Sequence, residues 1–154
     1  MVRVVIDRVR AWGHVNVSAR HRTTIEVTRD DYLTPRGDCI IGIKADKGLS
    51  DINPELKDII RRDNSLVIVM FITDDYFDYV IGMGSSKLTL SNSNKLIIRR
   101  SGYIDDATLM IRANKAAVDL DRRLIDRLKK GSPLTVYIVG VDLEQDRAIK
   151  GDGT

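Results

Sequence analysis

Residues 38–70 read DCIIGIKADKGLSDINPELKDIIRRDNSLVIVM, and residues 106–138 read DATLMIRANKAAVDLDRRLIDRLKKGSPLTVYI. The two stretches align without a gap at an offset of 68, and eight of the 33 pairs are identical. Upstream of Asp38 the similarity continues at an offset of 71, because the first half has three extra residues in the stretch Leu33-Thr34-Pro35-Arg36-Gly37. The chain is therefore predicted to be a tandem duplication with repeats 2–72 and 73–143.

The apolar pattern of each repeat predicts several strands, one helix and a last strand, because Val, Ile and Thr are enriched and alternate with polar residues. The predicted strands of the first repeat are 2–11, 14–19, 23–29, 38–45 and 65–73, with a helix at 54–62. Those of the second are 75–82, 86–91, 95–100, 107–113 and 133–141, with a helix at 122–130. Asn53 before Pro54 and Asp121 are the expected helix caps.

Two units too small for a robust core of their own are expected to pack together about a pseudo-twofold axis. The predicted fold class is mainly β with two short helices, arranged as one β-sandwich or barrel. The two repeats are predicted to form a single domain over residues 1–143, followed by a polar tail at 144–154.

The composition bounds the class of protein. With 43% hydrophobic residues and no apolar run of about 20 residues, a soluble, cytoplasmic protein without a membrane span is expected. Asp7 and Arg8 interrupt the N-terminus where a signal peptide is apolar. A charged content of 31% suits the surface of a thermophile, and a net charge of +3 with interspersed signs argues only weakly for nucleic acid.

The two halves differ most between residues 12–26 and 83–97, since both histidines lie in the first stretch and none in the second. His14 corresponds to Ser85, and His21 to Asn92. Along a strand at 14–19, His14 and Asn16 would project side by side. His21 has the parity of the apolar face, but the Ser-Asn-Ser-Asn composition of its counterpart predicts a hairpin tip instead.

The inserted loop and its neighbours are a second candidate region. Arg36 is suited to clamp a phosphate or carboxylate, although a solvated arginine is the alternative. Cys39 is the only cysteine, so it excludes an internal disulfide, and it opens a strand where a small core residue is common. A reactive thiolate would need a positive neighbour such as Arg36 or a histidine.

Three motifs resemble one known family. They are Gly13-His14-x-Asn16, His21-x-Thr23-Thr24-x-Glu26, and Tyr32-Leu33-Thr34-Pro35-Arg36-Gly37-Asp38-Cys39-Ile40-Ile41-Gly42. Together they are similar to the archaeal domain-of-unknown-function family three-seven-one, over nearly the whole chain. The resemblance implies an archaeal, cytoplasmic, sandwich-like protein that is mainly β, and it implies no biochemical activity.

Three functions compete at this point. In the first, the chain is a binding module for a small anionic or nucleotide-like ligand, with a polar site built from His14, Asn16, His21, Thr23, Thr24 and Arg36. In the second, it is a hydrolase. His14 or His21 would then be the general base, Glu26 or Asp38 would orient it or act as the acid, and Cys39 or an activated water would be the nucleophile.

A metal-dependent hydrolase would use His14, His21 and a carboxylate, but their spacing matches no standard motif, so no metal or cofactor is assigned. The third function is RNA binding through Arg20, Arg22, Arg29 and Arg36, with Trp12 stacking on bases. The oligomeric state is open. Whether His14, His21, Glu26 and Cys39 face one cavity separates the hypotheses.

Overall fold

A computed structural model describes residues 2–143, and the predicted tail at 144–154 lies outside the described residues. The chain order of elements is the same in both halves: three strands, a 3-10 turn, an α-helix and a strand. In the first half these are β1 (Arg3–Trp12), β2 (Thr24–Thr28), β3 (Ile40–Gly42), the turn Leu49–Asp51, α1 (Pro54–Ile60) and β4 (Leu66–Thr73). In the second they are β5 (Tyr76–Met83), β6 (Lys95–Arg99), β7 (Thr108–Met110), the turn Ala117–Asp119, α2 (Arg122–Lys129) and β8 (Pro133–Asp142).

The strands form two four-stranded sheets, each built from both halves. Sheet A has the order β1-β8-β4-β5 and is antiparallel throughout. Sheet B has the order β3-β2-β6-β7, in which the central pair is antiparallel and both edge strands are parallel to their neighbours. The prediction of a mainly β fold with two helices is confirmed. The two sheets are arranged like a sandwich, and no barrel closure is found between residues 2 and 143.

The core lies between the sheets, because each long strand alternates between a buried and a more exposed face. In β4, Val67, Val69 and Phe71 are fully buried, while the residues between them are only half-buried. One small internal cavity is lined from both sheets, by Val9, Ile25, Val27, Val69, Phe71, Leu96, Ile98, Leu109 and Val136. Residues of both halves therefore line the same cavity.

Both helices begin where capping chemistry predicts. The Asn53 side chain accepts a hydrogen bond from the Glu55 N–H at 2.8 Å, and Pro54 occupies the first helical position. The Asp121 carboxylate accepts from the Arg123 N–H at 2.9 Å. Each helix buries three aliphatic residues, namely Leu56, Ile59 and Ile60 in α1 and Leu124, Ile125 and Leu128 in α2. No helix within residues 2–143 is long and apolar enough to cross a membrane.

The predicted strands at 14–19 and 86–91 are wrong, since both stretches are loops. Ala19 and Leu90 have φ of 50°, in the left-handed region that interrupts an extended strand. Val17 and Ala19 are nevertheless buried, at 1% and 0% exposure, so the alternation of apolar residues was real. It reflects a loop that buries alternate side chains without pairing to a sheet.

Two other predictions need correction. The strands expected at 38–45 and 107–113 are only three residues long each, at β3 and β7. The ungapped comparison also fails in the last strand, where an offset of 68 would match buried Val67 with half-exposed Thr135. The structure instead gives Val67 and Leu134 equivalent buried positions, because the start of β8 follows the start of α2 one residue sooner than the start of β4 follows the start of α1.

Candidate functional site

Both histidine rings hold the backbone of their own loops. Nδ1 of His14 accepts the N–H of Asn16 at 3.0 Å. Nδ1 of His21 accepts the N–H of Thr23 at 3.2 Å and of Thr24 at 3.1 Å, and the Thr24 hydroxyl lies 3.0 Å away. A nitrogen that accepts from an N–H carries a lone pair, so each neutral ring must carry its hydrogen on Nε2.

The second half fills the same structural role with other residue types. The Ser85 hydroxyl oxygen accepts the N–H of Lys87 at 3.2 Å. The Asn92 side-chain oxygen accepts the N–H groups of Asn94 and Lys95, both at 2.8 Å. Serine and asparagine are common residues for capping a turn in this way. The feature that distinguishes the first half is therefore the Nε2–H group, which has no hydrogen-bond partner within residues 2–143, because the capping role occurs in both halves.

The loop of His21 lies against the inserted loop. The N–H groups of Arg20 and His21 both donate to the carbonyl oxygen of Asp38, at 3.0 and 3.2 Å. Arg36 lies two residues before Asp38, in a turn closed by the Gly37 N–H and the Thr34 carbonyl at 3.0 Å. Two loops distant in sequence thus meet at the end of sheet B where β2 begins.

This end of sheet B carries unpaired cations. Arg20, Arg22 and Arg36 are exposed, and within residues 2–143 their guanidinium groups make no hydrogen bond or ion pair. We call Arg20, His21, Arg22, Thr23 and Arg36 the arginine edge. Ser91, Asn92 and Ser93 stand at the positions of Arg20, His21 and Arg22 in the second half, so the arginine edge has no basic counterpart there.

His14 and Asn16 lie on a different loop segment from the arginine edge. The Asn16 side-chain amide donates to the carbonyl of Leu33 at 2.8 Å and so holds the start of the inserted loop. The prediction that His14 and Asn16 project side by side from a strand is wrong, because residues 14–19 are not a strand. Their part in ligand binding stays a prediction.

Glu26 and Cys39 are neighbours on sheet B. The Glu26 N–H donates to the Cys39 carbonyl at 2.8 Å, and the Glu26 residue is only 7% exposed. Burial raises the pKa of the Cys39 thiol to about 11, and the nearby Glu26 carboxylate adds to the effect. The thiol is therefore protonated at neutral pH, which disfavours Cys39 as a nucleophile. Thr24 bonds to both the Cys39 thiol and the His21 ring, so contacts connect His21, Thr24, Cys39 and Glu26.

Replacing Glu26 by Gln is expected to stabilise the protein at neutral pH, because burial raises the pKa of this carboxyl above its ordinary value of 4.5. The folded state then binds more protons than the unfolded state, so Glu26 lowers stability as the pH rises from 4.5 through its folded pKa. The free energy of unfolding, measured with urea across this range, should diverge between variant and wild type as the pH rises. Glu55→Gln, at an exposed position, is the control, and a difference independent of pH would contradict the prediction.

The other predicted residue sets are not assembled. Among residues 2–143, no three His, Cys, Asp or Glu side chains come together as metal ligands, so His14, His21 and a carboxylate do not form the proposed triad. Arg29 follows the far end of β2, where its guanidinium lies 3.6 Å from Asp51. It is therefore separated from Arg20, Arg22 and Arg36, with which it was predicted to bind RNA.

Two comparisons with known proteins cover most of the chain. A family model described as "Domain of unknown function (DUF371)" matches residues 9–141. An uncharacterized protein of the archaeon Methanocaldococcus jannaschii is 43% identical over 131 residues, which are 85% of this chain and 96% of that protein. The family model extends over the arginine edge, and neither description gives a ligand or a reaction.

Proposed function

Because this chain belongs to the family described as Domain of unknown function (DUF371), which supplies no activity, we propose a function from the geometry of the arginine edge. The chain is a binding module for a small anionic ligand that carries phosphate or carboxylate groups. The observation that carries the proposal is the pair of backbone hydrogen bonds from Arg20 and His21 to the Asp38 carbonyl, which hold the inserted loop, with Arg36, against the loop that carries Arg20 and Arg22.

The arginine edge offers mainly hydrogen-bond donors. Each guanidinium group is permanently charged and presents N–H donors in a planar fork that matches phosphate and carboxylate oxygens. The His21 ring adds the Nε2–H group, because its Nδ1 is already used by the backbone. Asp38 contributes one negative charge against the three guanidinium groups. A ligand with several anionic oxygens complements this surface, and the phosphates of a nucleotide belong to the same class.

The same geometry favours binding over hydrolysis. A general base needs a free lone pair for the substrate's proton. In the neutral His21 ring Nδ1 accepts backbone N–H groups, so Nε2 carries the hydrogen and has no lone pair to offer. The Cys39 thiol has a pKa of about 11, so the proposed covalent nucleophile is protonated. On these two grounds we rank hydrolysis second among the candidate functions, and RNA binding third because Arg29 lies apart from the other arginines.

The test is a titration of ¹⁵N-labelled protein with inorganic phosphate, pyrophosphate and ATP, followed by amide chemical shifts. Shifts are expected at residues 20–24 and 36–38. Arg20→Gln and Arg36→Gln should each weaken the affinity about tenfold, the size of one charge-assisted hydrogen bond. Lys44→Gln is the matched control, since Lys44 is exposed and lies near Asp30 at the other end of β2.

Several results would contradict the proposal. Amides of the arginine edge that do not shift with any of the three anions would overturn it, as would an equal loss of affinity in the Lys44→Gln control. The ¹⁵N spectrum of the His21 ring should show the hydrogen on Nε2, and a hydrogen on Nδ1 would restore the general-base reading. Stronger binding to single-stranded RNA, lost in Arg29→Gln as well, would support the RNA alternative instead.

A further inference from the structure

The outward side of sheet A is almost entirely apolar. Cross-strand pairing places its side chains in four rows that run across β1, β8, β4 and β5. The rows are Val4, Val141, Leu66 and Met83; Ile6, Val139, Ile68 and Ile81; Arg8, Tyr137, Met70 and Tyr79; and Arg10, Thr135, Ile72 and Phe77. We call these residues the apolar face. Only Arg8, Arg10 and Thr135 interrupt it, and all three lie at one end.

No helix or strand between residues 2 and 143 covers the apolar face, although at its β5 edge the Lys115 Nζ lies 4.9 Å from the centroid of the Tyr79 ring. Val4, Ile6 and Phe77 are 53%, 57% and 59% exposed. The helices pack on the opposite, inward side of the sheet, since α1 lies against inward-facing Gly140 and the Asp121 cap of α2 bonds to inward-facing Asp78. Strands of a sheet with one face in solvent normally alternate, with apolar side chains on the inner face and polar ones on the outer face. An outer face that is apolar therefore indicates a binding partner.

We propose that two copies of this chain form a dimer by packing their apolar faces together. The twofold axis runs parallel to the strands, between β4 and β8, so that β1 of each copy covers β5 of the other. Four strands about 4.8 Å apart and four rows about 6.8 Å apart give a projected area of roughly 500 Å². This projected area is more than half of the roughly 800 Å² per partner that a standard interface buries.

The charges of the apolar face select this orientation. Arg8 and Arg10 lie on the edge strand β1, whereas Tyr79 and Phe77 lie in the same rows on the opposite edge strand β5. The proposed axis places the Arg10 guanidinium over the Phe77 ring of the partner subunit, a favourable cation–π arrangement. Arg8 meets the row of Tyr79, whose ring already has the Lys115 ammonium of its own chain 4.9 Å from its centroid, so the orientation rests mainly on Arg10. The turn before β5 adds the carboxylates of Asp74 and Asp75 near Phe77.

A twofold axis perpendicular to the strands gives a poorer match. It would reverse the order of the rows, so that Arg8 and Arg10 would face Ile6 and Val4 of the partner subunit. Two desolvated cations would then have no ring and no carboxylate opposite them, which is costly. Charge complementarity therefore favours the parallel axis and the pairing of β1 with β5 across the interface.

Sedimentation velocity of the full chain over a range of concentrations tests the dimer. A reversible dimer is expected. Ile6→Glu should raise its dissociation constant on the order of a hundredfold, because the twofold symmetry of the dimer buries two new carboxylates in the interface. Val15→Glu is the matched control, since Val15 is 75% exposed in the loop after β1 and belongs to none of the four rows. Circular dichroism of Ile6→Glu should show a folded monomer, because the side chain contributes little to the core.

The orientation is tested by exchanging charges. Arg10→Glu should weaken the dimer, and adding Asp75→Arg in the same chain should restore it, because the two positions meet across the interface. A protein that stays monomeric at all concentrations would overturn the proposal, as would a dimer that Ile6→Glu leaves intact. Failure of the double variant to recover would overturn the parallel axis.

Discussion

Substituting Gly13 by Ala is expected to destabilise the protein by at least about 3 kcal/mol, more than ordinary overpacking of a core. A Cβ atom at this position would lie 2.0 Å from the carbonyl oxygen of Leu128 and 2.7 Å from its Cα. These are backbone atoms in the last turn of α2, and the Leu128 side chain is fully buried, so the helix cannot move aside. Urea unfolding, compared at constant m-value, measures the loss.

The control for Gly13 is Gly131, which needs glycine for a different reason. Gly131 has φ of 83°, but a Cβ there would have no atom within 4 Å. Gly131→Ala should therefore cost only about 1 kcal/mol, through backbone conformation alone. Gly84→Ala, whose Cβ would lie 2.1 Å from the Ile60 carbonyl oxygen, should behave like Gly13→Ala. Equal losses at Gly13 and Gly131 would show that the contact with α2 relaxes freely.

The predictable parts of the fold are those coded by neighbouring residues. The starts of α1 and α2 follow from Asn53-Pro54 and from Asp121, because capping acts over two or three residues. The strands of sheet A, which are eight to ten residues long, follow from stretches rich in Val and Ile. The strand expected at 14–19 was wrong because alternate burial also arises in a loop, and the positive φ of Ala19 leaves no trace in the sequence.

The candidate site was only partly predictable, since different residue types perform one structural task. His21 and Asn92 look chemically unlike, yet both accept two backbone N–H groups at the start of a sheet B strand. The comparison of the halves did single out His21 and Arg36. It could not show that the loops of His21 and Arg36 meet, because that depends on backbone hydrogen bonds to the carbonyl of Asp38.

The register of the last strand was hidden for a related reason. Sheet A is apolar on both sides, so shifting β8 by one residue still matches apolar with apolar side chains. In strands with one polar face a one-residue shift is easily recognised in the sequence comparison, because it would match polar residues with core residues. The one-residue error in the repeat comparison and the apolar face therefore have the same origin in the composition of β4 and β8.

The two phenylalanines of the chain separate the two sides of sheet A. Phe71 on β4 is fully buried between the sheets, whereas Phe77 on the neighbouring strand β5 is 59% exposed on the apolar face. Phe71→Ala is expected to lower the free energy of unfolding by about 4 kcal/mol, because it removes a buried ring and leaves a cavity. Phe77→Ala should change the stability of the monomer by less than about 0.5 kcal/mol.

The contrast between the two variants depends on the oligomeric state. Urea unfolding of both should be measured at a concentration where sedimentation shows only monomer, because a dimer adds stability by mass action. At higher concentration the dimer adds stability to the wild type, and Phe77→Ala should lack this gain. Phe71→Ala should show it to the extent that the variant is still folded. A large loss in monomeric Phe77→Ala would mean that the ring packs within its own chain, and the apolar face would then no longer require a second copy.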